Sequence, residues 1–406
     1  MDKLNFIDCK APKYAYTGQF FEGMASVQDY DGLNGFINLD GEEVISCQYQ
    51  AANEFSSGLV SVQNSDGLWG YINKEGKKVI DFKYKYAGYF SKDLTINLAP
   101  VITDHNTWIY INKNGEQAIN HTFALAESFS DGYALVRTFY SSEYYYLTPT
   151  GNLHGPYKQA NRFVNGLALV ADNKNVYIIN KNFEIISKRS LDTLEHVSTN
   201  YNDLYIFRDK KGKTGYLDKK LNEKNVPIFQ DGHNFCDDMA IVNLSDDFIG
   251  IINPEGKIIV FSKDYQYRTI HDFKEGLSVV INPQCLFGYI NKEGKEAIAC
   301  QFKDADNFRE GLAGVEDIDG NFYYIDKFGN IKLRIDTIYS SILELDDKTI
   351  YISATTEEEL QEKKLQVLKL VKEELIAKID NLAYDHTDGL YQHTRVRKLS
   401  NNTVNK

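Results

Sequence analysis

Gly67-Leu68-Trp69-Gly70-Tyr71-Ile72-Asn73-Lys74-Glu75-Gly76-Lys77-Lys78-Val79-Ile80 decides the fold, because most of the chain consists of diverged copies of this stretch. The interval from Gly70 to the turn glycine Gly76 recurs as Gly35/Gly41, Gly250/Gly256 and Gly288/Gly294, and with the first glycine replaced as Ile109/Gly115, Tyr145/Gly151 and Tyr323/Gly329. Gly215/Leu221 and Tyr177/Phe183 keep the register and lose a turn glycine. A second marker, Phe-x-x-Gly-Leu, precedes the copies: Phe20/Gly23, Phe55/Gly58, Phe129/Gly132, Phe163/Gly166, Phe273/Gly276 and Phe308/Gly311, with weaker forms starting at Phe90, Phe235 and Asn200. Marker to hairpin is 15 residues in six of the nine copies, so two independent signals hold one register. A fixed period of this kind marks a repeat architecture before any other feature is considered.

Period-2 patterning and turn glycines predict three strands per unit, Leu59 to Val62, Trp69 to Asn73 and Lys78 to Phe82, with a short fourth segment around Tyr86. Gly76 closes the hairpin between the second and third strands in a left-handed conformation, where a Cβ costs about 1 kcal/mol. Where that glycine is missing, the neighbouring Asn182 and Asn222 are expected to take its place. Trp69 and Tyr71 point to one face of their strand and Gly70 and Ile72 to the other. Both faces are apolar, and one short sheet cannot cover two faces, so each unit must stack on its neighbours. Gly70 is expected to admit a bulky side chain from the next unit, the marker Phe.

These residues resemble WG repeats, a tandem family with the pattern F-x-x-G-L-A-x-V followed by W-G-Y-I-D/N-x-x-G-x-x-V-I. The resemblance spans about residues 20–333 and departs from the pattern at the namesake dipeptide, complete only at Trp69-Gly70. It implies a repeat architecture of bacterial proteins and no particular chemistry.

The predicted fold is all-β, with about 35 residues per repeat, arranged as a β-propeller-like ring or a curved β-solenoid. Residues 1–19 read as the second half of a unit, 20–333 as nine repeats, and 334–406 as a degenerate tenth repeat with a cap or closing strand. Asp388-Gly389-Leu390 resembles the Gly-Leu marker, so a ring whose last blade shares strands from both termini is one expectation. In the tail, a hairpin over 365–379 is favoured over a helix opened by the capping box Thr355-Thr356-Glu357-Glu358-Glu359.

With 43% hydrophobic residues the chain can bury a large core, and its formal charge of -12 opposes binding to nucleic-acid backbones. The five cysteines form no C-x-x-C pair and read as core thiols of a reducing compartment. The N-terminal residues Met1 to Asp8 lack an apolar leader and no run reaches membrane-spanning length, which points to the cytoplasm; a non-classical export route would leave no such trace. Abundant Lys, Asn, Ile and Tyr suggest a bacterial source.

No G-x-S-x-G elbow, phosphate-binding loop or G-x-G-x-x-G occurs. His386 and His393, with Asp385 and Asp388, are spaced too widely for a usual zinc site, and Asp29-Tyr30-Asp31-Gly32 and Asp317-Ile318-Asp319-Gly320 lack the full ligand series of a calcium loop. No cofactor, metal or catalytic residue is therefore predicted. The loop after the Gly-Leu strand varies most in length and is rich in aspartate, and in a stack of equivalent units it emerges on one side. Asp104, His105, Tyr140, Glu143, Asp172, Asp246, Asp317 and Asp319 are the candidate binding residues on this acidic rim. The leading expectation is a non-enzymatic binding or scaffolding module for a protein partner with a basic patch. Two alternatives stand beside it: a propeller-type hydrolase or lyase whose carboxylates converge from several repeats, and an exported protein that binds envelope or host glycans. Small molecules remain a further class of ligand that no motif supports.

Overall fold

The computed structural model describes residues 6–198, 204–224, 228–245, 248–261, 267–335, 337–344, 349–354 and 356–372. The chain divides into two compact units, one of residues 14–318 and 323–333, the other drawn from both ends of the chain and from residues 319–322.

Among the described residues, nine small antiparallel sheets follow one another from residue 16 to residue 334, each with its strands side by side in chain order. We number these blades 1 to 9, spanning 16–49, 51–84, 86–111, 125–157, 159–190, 194–217, 231–261, 269–302 and 304–334. Blade 2 shows the plan: Ala51–Ala52, Leu59–Gln63, Trp69–Asn73 and Lys78–Tyr84. The last strand alternates exposed and buried residues, as a peripheral strand does, so the two-residue first strand lies at the inner edge. Consistent with that, Glu54 of blade 2 is electrostatically coupled to Arg309 of blade 9, across the whole of blade 1.

The short segment at Tyr86 therefore opens the next blade instead of closing the previous one: Tyr86–Ala87 pairs with Ile102 and Val101. Two residues of strand are too few for a sequence pattern, which is why the repeat boundary reads late.

Most adjacent blades meet through one latch; blades 5 and 7 carry Ile178 and Ile251 in place of the aromatic ring, and Phe273 packs in one cluster with Ile251. The marker Phe packs on the aromatic ring that follows the Gly70 position in the preceding blade: Phe55 on Phe36, Phe90 on Tyr71, Phe129 on Tyr110, Phe163 on Tyr146, Phe235 on Tyr216 and Phe308 on Tyr289, with ring centroids 4.7–5.1 Å apart. The tyrosine hydroxyl then donates to a backbone carbonyl beside that Phe, at 2.7 Å from Tyr71 to Gly88, Tyr110 to Glu127, Tyr146 to Asn161, Tyr216 to His233 and Tyr289 to Asp306. A buried ring of this size contributes roughly 2 kcal/mol, and the bond keeps the hydroxyl satisfied in a dry seam. Ile72 covers the opposite face, against Phe36, Ile45, Phe55 and Val62. Each sheet is thus buried on both sides by its neighbours, as the two apolar faces require.

The same latch closes the ring. Tyr324 of blade 9 packs on Phe20 of blade 1 at 4.8 Å, and its hydroxyl donates to the Gly18 carbonyl at 2.5 Å. Glu310 accepts from the Glu22 and Gly23 amides at 2.6 and 3.0 Å, just as Glu22 accepts from Ser57 and Gly58 at 2.7 and 2.9 Å. The unit is a closed β-propeller and not an open solenoid. Nor, among the described residues, does any blade share strands from both termini: Tyr16–Phe21 opens blade 1 and Ile331–Arg334 completes blade 9.

Gly70 has a different role from the one expected. A Cβ there would lie 2.7 Å from the Ile80 carbonyl oxygen, and at Gly35 it would lie 2.4 Å from that of Ile45. The outer strand of the same blade bulges toward the glycine, between the Trp69↔Tyr84 and Tyr71↔Ile80 pairs. It is backbone that fills the space, and the marker Phe stays on the other face.

Asparagine does not replace the missing hairpin glycines either. Phe183 and Leu221 themselves take positive φ, 64° and 60°. The side chain that starts the turn fixes the register: Asn180 Oδ1 accepts from the Asn182 and Glu184 amides, and Asp218 Oδ1 from those of Lys220 and Asn222. The strain of about 1–2 kcal/mol is offset by burial, since Leu221 is only 3% exposed and Phe183 stacks on His154 at 4.1 Å.

The second unit contains a three-stranded antiparallel sheet of Phe6–Pro12, Thr337–Glu344 and Thr349–Ala354, followed by a helix, Glu357–Lys372. The N-terminal segment is therefore a strand of this sheet and not half a repeat. The helix replaces the expected hairpin: Thr356 Oγ1 accepts from the Glu359 amide at 3.1 Å, three glutamates occupy the first turn, and Leu360 packs with Ile352 and Ala354. Residues 373–379 and the marker at 388–390 lie outside the described residues. No described helix is long and apolar enough to cross a membrane.

Candidate functional site

Antiparallel order puts the marker turns and Gly76-type hairpins on one side of the ring and the loops between second and third strands on the other. On the first side an acidic residue recurs just before the marker glycine, or before Asp238 where that glycine is replaced. Glu22, Asp131, Asp237, Glu275 and Glu310 each accept a backbone amide from the next blade, at Gly58, Gly166, Gly276, Gly311 and Gly23 respectively. Lys74, Lys181 and Lys327 pair with Glu22, Asp131 and Glu275 from the neighbouring hairpins. These carboxylates are committed to holding blades together. The acidic third position of the marker was visible in the sequence, but its partners lie about one repeat away.

The other side carries the sequence-predicted residues, distributed over blades 3, 4, 5 and 9. Asp104 and His105 are exposed, 3.6 Å apart. Tyr140 is 100% exposed, beside a half-exposed Phe139. Glu143 pairs with Lys158 at 3.5 Å. Asp172 accepts from the Tyr177 hydroxyl and from the Lys174 and Asn175 amides, each at 2.7 Å, and the Tyr177 bond foremost pushes its carboxyl down to about 2. Asp317 accepts from the Tyr323 hydroxyl at 2.9 Å, and Asp319 follows in the same loop. Asp246 lies outside the described residues, as do His386 and His393. Asp29 is a turn former, its Oδ1 accepting from Asp31 and Leu33. The exposed Tyr30 and Ile318 lie on the same side.

Of these residues the fold brings Glu143 and Asp172 together, at the mouth of a cleft of about 400 Å³ between blades 4 and 5. Tyr157, Val170, Ile179 and Phe183 line its wall.

A third place was missed by sequence reasoning. The two residues before each marker Phe stand at the inner edge, where Glu54, His233, His271, Asp272 and Asp306 gather. Burial, with the nearby Asp304 charge, pushes the Asp306 carboxyl up to about 6. Burial also raises Glu54, against the pull of Arg309 and Lys92. His233 Nδ1 meets Asp272 Oδ1 at 2.9 Å across blades 7 and 8; this bond raises the imidazole and lowers the carboxyl. Burial lowers the neighbouring His271. Glu54 also lines a cavity of about 240 Å³ with Tyr16, Gln19 and Asn53. Polar residues at this position were the available signal, hidden because their identity changes from repeat to repeat. Among the described residues no group of three or more His, Cys, Asp or Glu side chains is placed to hold a metal ion.

No curated protein matches the sequence. Among solved structures, a eukaryotic initiation factor resembles the chain with a TM-score of 0.53 at 11% identity, covering 78% of this chain and 97% of that one. BamB from Moraxella catarrhalis gives 0.37 at 11% identity, covering 79% and 99%, and Hsv2 from Kluyveromyces lactis gives 0.32 at 8%, covering 64% and 94%. At such identities the first likeness concerns the fold alone. The model of the WG containing repeat matches residues 35–68, 69–101, 108–138 and 287–322, so the chain carries WG repeats at four positions of a β-propeller.

Proposed function

We propose that the ring is a non-enzymatic binding module that engages a protein partner bearing a basic patch, through the loops between second and third strands. The observation that carries this reading is the 100% exposed Tyr140, set between Phe139 and Glu143 on the side where Asp104, Asp172 and Asp317 also emerge. Exposed aromatic groups beside carboxylates match the composition of an interface centre with a charged surround. Affinity capture from a source-cell extract at low and moderate salt tests it. A partner lost with Tyr140→Ala and weakened by salt supports the reading, whereas capture that persists unchanged in Tyr140→Ala and at high salt overturns it.

A second reading, a hydrolase or lyase, draws on Asp306 near 6 beside Asp304. Carboxyls poised near neutrality suit general acid and base work. Its test is turnover of chromogenic ester and glycoside panels, with a pH profile inflecting near 6 that is lost in Asp306→Asn.

A further inference from the structure

The cleft between blades 4 and 5 goes beyond the partner-binding reading. At five other seams the hairpin glycine, Gly41, Gly76, Gly115, Gly151 or Gly329, rests on an outer aliphatic residue of the blade before it. A Cβ at Gly76, Gly115 or Gly329 would lie 3.3, 3.0 or 3.5 Å from Ile45, Ile80 or Ile298. Between blades 4 and 5 both partners differ: Phe183 holds the hairpin position and stacks on His154. The outer strand then continues as Gly155-Pro156-Tyr157, one residue shorter than the corresponding Asp81-Phe82-Lys83-Tyr84 of blade 2. Phe183 stacks on His154 with one face of its ring, Gly155 offers no side chain, and the seam is left open as a cleft of about 400 Å³. That is within the size range of small-molecule sites.

Its wall is apolar, from Tyr157, Val170, Ile179 and Phe183, and its mouth carries charges of both signs. Lys158 stands on the blade 4 side with Glu143, and Asp172 on the blade 5 side. Lys188 lies 5.6 Å from the Tyr177 ring centroid, and its charge acts on Asp172. Asp172 is held by two amides and one hydroxyl, so its orientation is set before any ligand arrives.

We propose that this cleft binds a small aromatic zwitterion, an amino acid or close relative, with its ring on the apolar wall, its ammonium at Asp172 and its carboxylate at Lys158. A cleft lined by one net sign would select a simple amine or a simple acid. One that offers a fixed anion and a cation on opposite sides favours a ligand carrying both.

The test uses the full chain and L-phenylalanine as probe, followed by isothermal titration and saturation-transfer NMR, with phenethylamine and 3-phenylpropionate as comparators. A ligand of this size in such a cleft is expected to bind with Kd of about 0.1–1 mM. L-Phenylalanine should bind at least about fivefold more tightly than either comparator, each of which forfeits one charge-assisted bond. Asp172→Asn keeps an oxygen for the turn amides and should weaken L-phenylalanine about tenfold. Ile185→Trp, at a lining position 62% exposed at the hairpin end of the cleft, should fill the space beside the apolar wall without disturbing the fold. Thermal melts matching the parent establish that both variants are folded. Absence of binding, equal affinity for the three probes, or affinity unchanged in both variants overturns the proposal. None of these outcomes bears on capture of a protein partner through Tyr140.

Discussion

The seam between blades 2 and 3 and the seam between blades 4 and 5 use the same inner latch and different outer packing. In the first, Tyr71 meets Phe90 at 5.0 Å and Gly115 rests on Ile80. In the second, Tyr146 meets Phe163 at 4.7 Å, but Phe183 stacks on His154 and a cleft opens outside them. The latch that sets ring geometry is kept, while the periphery is free to vary. Variation there leaves a recess without opening the ring, because the ring is held from inside.

The sharpest way to break this comparison is to cut the latch where the two ends of the propeller meet. Tyr324→Ala and Tyr71→Ala should each lower unfolding free energy by about 4 kcal/mol in chemical denaturation. Equal losses would show that the closing seam, at 4.8 Å between Phe20 and Tyr324, is one seam among equals. No loss in Tyr324→Ala would show that the ring is held shut by something else.

Asp306 shows what the inner rim adds to an otherwise regular latch, since its backbone carbonyl serves Tyr289 while its carboxyl is held near 6 instead of 3.8. A folded-state value above the unfolded one means that folding favours the protonated acid, so this group's effect on stability worsens as pH rises from 3.8 through 6. Asp306→Asn should therefore raise stability by about 2 kcal/mol at pH 8 and change it little at pH 4. A loss at pH 8 would mean that the charged carboxylate has a stabilising partner.

Phe183→Gly converts the irregular outer seam toward the regular one. The loss of a half-buried ring and of its stack on His154 outweighs the release of about 1–2 kcal/mol of strain, so a net destabilisation of about 1 kcal/mol is expected. A more stable variant would show that the stack on His154 contributes nothing.

The smallest effect concerns His233 and Asp272. The histidine's raised value gives stability present below the unfolded histidine pKa of 6.5 and lost as pH climbs through the folded one. The carboxyl's lowered value gives stability present above 3.8 and lost as pH falls through its folded value. The pair should stabilise most between those two limits. Because both groups are about half exposed, solvent screening holds the loss in His233→Ala to under about 1 kcal/mol. Melting temperature against pH, compared with the parent, would reveal it.

Sequence alone determined the repeat, its strands and the burial of both faces, because Phe55, Tyr71 and Gly76 recur at spacings that only a stacked β unit explains. It also placed Glu143 and Asp172 on one side of the molecule. The tertiary structure decided what depends on residues far apart in the chain: that Tyr324 reaches Gly18 and closes the ring, and that Gly70 yields to the backbone of its own outer strand. It alone placed Glu54, His271 and Asp306 at the inner edge, since the residues before the marker Phe differ from repeat to repeat. A repeating pattern reports the contacts that every unit makes. A site made once, from residues in which the units differ, leaves no period to read.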